Sequence, residues 1–232
     1  MKLVDILKER IVILDGAMGT MIQKHNLQEE DYRGERFKDF HTSLKGNNDL
    51  LVLTQPQIIK NIHREYLAAG ADLIETNTFN ANIISMVDYD MVDLVDELNY
   101  EAVRLAKEAC EEFSTPDKPR FVVGSLGPTN KTASISPQVN DPSYRDVDFD
   151  LLANVYYRQA KTMCYRNTGI LISNFPEQRF HRTRIFITGL MRLPSPAAII
   201  IACLTSCIFI YPPFSAVHPV LHCNNLLRIC TV

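Results

Sequence analysis

Three short apolar runs, IVILD at 11–15, DLIET at 72–76 and FVVGSL at 121–126, punctuate the first half of the chain, with amphipathic stretches between them. Runs of this length, bounded by glycine or charge, suit strands buried on both faces. After the first, a polar, glycine-spaced stretch leads to the apolar LLVL at 50–53. Thr54-Gln55-Pro56-Gln57 then reads as a capping box with Thr54 as the cap. Behind it Ile58, Ile59, Ile62, Tyr66 and Ala69 share one helical face that stops at Gly70. Met91, Val95, Leu98, Ala102, Leu105 and Ala109 recur at steps of four and three, a second helix, and a third starts near Asp148 with Phe149, Leu152, Tyr156 and Met163. Buried strands alternating with helices of this length predict an α/β fold of parallel β/α units, three of them visible.

In a β/α barrel, function collects at the carboxyl ends of the strands. Each run here ends in a polar cluster: Asp15-Gly16, Glu75-Thr76-Asn77-Thr78 and Gly127-Pro128-Thr129-Asn130-Lys131. Asp15 is followed by the small residues Gly16, Ala17 and Gly19, so an acid stands beside backbone with little side-chain cover. That combination suits the ammonium and carboxylate of an amino acid. Other roles stay open on the residues alone. Gly16 and Gly19 would also relieve a tight turn, Glu75 would serve as a buried acid paired with a base, and Asn77, Asn80 and Asn82 would bond loop backbone.

Composition narrows the class and exposes a break. A net charge of −3 with no Lys/Arg-rich run argues against a nucleic-acid surface, and the mixed-charge N-terminus MKLVDILKER is not a secretory signal, which points to the cytoplasm. Residues 1–163 carry 26 acidic and 18 basic side chains and one cysteine, whereas residues 164–232 hold one acid, six Arg, no Lys and five Cys. Two regions follow: a β/α domain over 1–163 and an unplaced tail over 164–232. Within the tail, Cys203-x3-Cys207 and His218-x3-His222 imitate a zinc-finger spacing, but Pro212, Pro213 and Pro219 fall where a finger needs regular structure. The apolar segment 197–211 is 15 residues between prolines, short of the roughly 20 that a membrane-spanning helix needs.

The segments ILDGAMGTMIQ, FKDF…LKGNNDLLVLTQP, GADLIETNTFNAN and GSLGPTNKTASISPQVNDPSYR together resemble the homocysteine-binding module of cobalamin-dependent methionine synthase, over about residues 3–162. The acid-glycine turn and the Glu-Thr after the second strand are shared with the wider homocysteine methyltransferases; GPTNKTASISP resembles the cobalamin-dependent branch. The resemblance implies a (β/α)8 barrel and methyl transfer to the homocysteine thiol. It also implies a zinc ion held by three cysteine thiolates with a position left open for the substrate sulfur, and methylcobalamin as methyl donor. By the same resemblance, Asp15 and the amides of Gly16 and Ala17 hold the charged end of homocysteine, and Glu75 and Asn77 complete the wall; no catalytic residue is assigned.

The resemblance stops near Met163. Neither a fourth-strand acid nor the family's adjacent zinc cysteines follow. The expectation is therefore a truncated family domain with the first three β/α units, its anchoring residues present and zinc and cobalamin both unbound. Such a chain is at most a weak homocysteine binder, and its incomplete barrel exposes an unpaired strand edge. A shifted frame or a retained intron accounts for the tail's composition.

Overall fold

The computed structural model describes residues 3–133, 136–165, 170–174, 199–204, 207–211 and 229–231. Helix α1 (Leu3–Glu9) leads into β1 (Val12–Leu14), then come the short helices α2 (Met18–Gln23), α3 (Glu29–Arg33) and α4 (Leu51–Thr54) and the long α5 (Pro56–Ala69). Strand β2 (Leu73–Glu75), helix α6 (Val95–Phe113), strand β3 (Phe121–Leu126), helix α7 (Phe149–Tyr165) and strand β4 (Ile170–Asn174) complete three β/α repeats. Beyond them lie β5 (Ile199–Leu204), β6 (Cys207–Tyr211) and β7 (Ile229–Thr231).

The strands form one sheet in the order β6-β5-β4-β3-β2-β1-β7. Neighbours from β1 to β5 are parallel and follow chain order, β7 runs parallel to β1, and β6 is antiparallel to β5. This sequential parallel order lacks the switch point at which a doubly wound sheet reverses direction.

Both faces of the strands are covered, as their apolar runs require. On one face Val12, Leu14, Leu73 and Val123 pack with Leu3 and Ile6 of α1. On the other, Ile74 and Val122 meet Leu67, Ala106, Ala109 and Cys110 from α5 and α6. Burial of each large aliphatic side chain here is worth about 1.5–3 kcal/mol. At the amino end of the strands, the 1 %-exposed Asp72 side chain takes both guanidinium nitrogens of Arg10, at 2.7 and 2.8 Å, and the Ile13 N–H at 3.0 Å. This clamp fixes β1 against β2.

Two local expectations change, and a third segment of the chain gains a description. Thr54 is not a cap: the cap of α5 is Gln55, without a side-chain bond, and Thr54 Oγ1 points back to the Leu50 carbonyl at 3.5 Å. LLVL has already turned helical, so Thr54 ends α4 instead of opening α5. The capping box occurs at α3, where the Gln28 N–H donates to Asp31 Oδ2 at 2.7 Å. Second, the turn after β1 places its left-handed residue at Ala17, φ 43°, and at neither Gly16 nor Gly19. Third, residues 199–204 and 207–211 of the apolar segment are two antiparallel strands, and among the described residues no helix is long and apolar enough to cross a membrane. His218 and His222 of the zinc-finger spacing lie outside the described residues.

Candidate functional site

Parallel pairing sets the strand ends side by side. Leu14 is in register with Leu73, and Glu75 with Val123, so Asp15, Glu75 and Ser125 come together where β1, β2 and β3 deliver their carboxyl ends. Asp15 Oδ1 accepts the Glu75 N–H at 2.9 Å, and Ser125 Oγ donates to Glu75 Oε2 at 3.4 Å. Asp15 is buried, at 3 % exposure, while Glu75 keeps a partly open face.

No base pairs with either acid among the described residues, so desolvation governs both. Burial pushes the Asp15 carboxyl well above the usual carboxylate range, the Glu75 N–H opposes that, and the neighbouring Glu75 charge adds to it. Glu75 is raised to about 7, chiefly by burial, with the Ser125 bond pulling slightly the other way. Two uncompensated acids held together strongly favour an incoming cation, because a cation restores the charged form that burial disfavours.

Gly16 and Ala17 follow at the turn into α2, with Ala17 exposed and Gly16 half-buried. Their amides find no protein acceptor among the described residues. Asn77 is brought to the same strand end, but its Nδ2 is already engaged, donating to the Asn48 carbonyl at 2.7 Å. The loop-bonding role therefore holds for half of the Asn77 amide, and Oδ1 has no protein donor among the described residues. Asn82 turns its Oδ1 to the Ile84 and Ser85 N–H groups, at 3.1 and 2.9 Å, and takes no part in the wall.

The chain leaving β2 is tied to β3 by groups that periodicity alone does not mark. Thr78 Oγ1 lies 2.7 Å from Thr76 Oγ1 and donates to the Ser125 carbonyl at 2.8 Å, and the Ser125 N–H donates to Thr76 Oγ1 at 3.0 Å. Gln159 on α7 donates to the Thr78 carbonyl at 2.8 Å, and the Tyr156 hydroxyl donates to the Gly127 carbonyl at 3.0 Å. A further buried acid, Asp49, accepts the Asn80 N–H at 3.2 Å. The only sequence signal for it is the polar Asn-Asn-Asp immediately before LLVL.

Among the described residues, no group of three His, Cys, Asp or Glu side chains is placed to hold a metal ion. Cys110 is buried on α6, where burial pushes its thiol up to about 12. The described residues do not fit a thiolate-held zinc.

A family model described as homocysteine S-methyltransferase matches residues 12–175, running past Met163. Solved structures of the Escherichia coli homocysteine methyltransferase MmuM are similar. The metallated form has 18% identity and a TM-score of 0.62, with 85% of this chain and 64% of that chain covered. The oxidised form has 17% identity and a TM-score of 0.62 over 85% and 62% of the two chains. For the apo form the values are 18%, 0.59, 87% and 61%. The chain thus spans less than two thirds of the length of these structures, and identities this low show a shared fold.

Proposed function

The chain belongs to the homocysteine S-methyltransferase family, and from that premise we propose that its strand-end acids receive homocysteine for methylation of the thiol. The observation that carries the reading is the Asp15–Glu75 pair, a buried and a partly buried acid joined through the Glu75 N–H at 2.9 Å. In this reading the substrate ammonium replaces the missing base beside them, and its carboxylate takes the Gly16 and Ala17 amides. Asn77 Oδ1 contributes a further acceptor. Ionised acids and ammonium in a desolvated site form charge-assisted bonds stronger than neutral ones.

We place the chain in the cobalamin-dependent branch on GPTNKTASISP, which resembles that branch. In a whole protein of that branch, zinc would bind the substrate sulfur and favour its thiolate form, and methylcobalamin would donate the methyl group. The residues described here supply the binding and orientation of the amino acid.

A denaturant melt of the 232-residue chain with and without homocysteine tests the reading. Homocysteine at a hundred times its Kd is expected to stabilise the wild type by about 2.7 kcal/mol, and Asp15→Asn to abolish that shift. No shift in the wild type, or an equal shift in Asp15→Asn, contradicts it.

A further inference from the structure

Residues 76–80, which leave β2, are gripped from two directions. Toward β3 the grip is dense: besides the Thr76, Thr78 and Ser125 bonds, the Gly127 N–H donates to the Phe79 carbonyl at 3.0 Å. From the other direction, among the described residues, the contacts come from one turn, Asn48–Leu50, in the connection between β1 and β2. There the Asn48 carbonyl accepts Asn77 Nδ2 at 2.7 Å, and Asp49 Oδ1 accepts the Asn80 N–H at 3.2 Å.

The turn is itself well anchored. Asn47 Oδ1 accepts the Leu50 N–H at 3.2 Å, and the Tyr32 hydroxyl donates to Asn48 Oδ1 at 2.9 Å. Just upstream, Glu29 accepts the Leu44 and Lys45 N–H groups, each at 2.8 Å. Asp49 is 3 % exposed, with no ion pair among the described residues. A buried acid with no cation is costly to keep. Its carboxylate is held by backbone N–H groups, its own and that of Asn80, and the Asn80 bond is the one that crosses to the next connection.

We infer that Asp49 is a positioning residue for the amino-acid site: with the Asn48 carbonyl it fixes residues 77–80, and through them the strand end that carries Glu75 and Asn77. The inference rests on the reading of Asp15 and Glu75 as the substrate wall. Asp49 touches no substrate in this account. It joins two successive β/α connections, so that the β2 strand end is held on its β1 side as well as on its β3 side.

Hydrogen–deuterium exchange of the 232-residue chain, followed on the peptide spanning 76–82, tests the tie without any ligand. Asp49→Ala is expected to speed exchange there about tenfold, the effect of losing one buried hydrogen bond. Asp49→Asn keeps an oxygen for the Asn80 N–H and is expected to stay within about threefold of wild type. Calorimetric titration with homocysteine gives the second readout: about tenfold weaker binding for Asp49→Ala, restored by Asp49→Asn. Unchanged exchange in Asp49→Ala, or Asp49→Asn as perturbed as Asp49→Ala, overturns the positioning role. If exchange behaves as expected but the wild type takes up no homocysteine, the substrate reading is overturned instead. Should Asp49→Ala lose its cooperative unfolding, Asp49→Leu removes the acceptor while filling the space. It is expected to speed exchange about tenfold as well, and unchanged exchange there overturns the role.

Discussion

His63 lies fully buried on α5 with neither ring nitrogen bonded to a protein group among the described residues, and burial lowers its pKa from 6.5 to about 4. The unfolded chain therefore takes up the proton first, and stability falls as pH drops from about 6.5 to about 4. The loss approaches roughly 3 kcal/mol once the pH is below both values. His63→Leu removes the unpaired imidazole N–H at similar volume; it is expected to stabilise the chain at pH 7 by about 1–2 kcal/mol and to flatten that acid limb. Denaturant melts at pH 4.5 and 7 check both effects. Gly127 has the opposite character. A Cβ there would stand 2.4 Å from the Phe79 carbonyl oxygen and 2.6 Å from its ring, so the strand ends of β2 and β3 approach through a glycine gap. Gly127→Ala is expected to cost about 1–3 kcal/mol in a urea melt, the range for overpacking. The strand-ending Gly127-Pro128 is plain in the sequence. Its purpose is not, because the residue that needs the space lies 48 positions earlier.

Elements were legible where local pattern and final burial agree. Helix α5 and strand β3 lie where the apolar residues put them, and α6 buries Val95, Leu98, Ala102, Leu105 and Ala109 of its marked face but starts at Val95, leaving Met91 in the turn before it. Strands β1 and β2 are shorter than their apolar runs, and Ile11, on the edge of the first, is 43% exposed. The region from 29 to 54 was illegible for a physical reason: it is organised by single polar side chains reaching across the loop. Arg33 donates to the carbonyls of Phe37, Phe40 and Thr42, while Glu29 takes the amides of Leu44 and Lys45. None of this leaves a periodic trace. The caps test the corrected picture. Thr54→Ala is expected to change stability by less than about 0.5 kcal/mol, whereas Asp31→Ala, which opens the capping box of α3, is expected to cost about 1 kcal/mol. Paired urea melts distinguish them, and the reverse order would restore Thr54 as the cap.

On the scale of the whole molecule, the parallel order from β1 to β5 makes one prediction about the site unavoidable: equivalent strand ends become neighbours. That much was legible, since Asp15 and Glu75 each close an apolar run. Their environment was not legible, because whether an acid meets a base depends on every element packed around it. Among the described residues neither of these two does, and the raised Glu75 carboxyl, at about 7, follows from burial. A carboxyl held in its neutral form cannot pair with ammonium, so binding must be paid for by proton release at low pH and becomes stronger as pH rises through 7. Calorimetric titration of homocysteine into the 232-residue chain at pH 6 and pH 8 tests this most directly. The account predicts about tenfold tighter binding at pH 8 for one acid titrating near 7, with the pH dependence reduced in Glu75→Gln and binding lost in Asp15→Asn. Binding of equal strength at both pH values, or none at either, would contradict it.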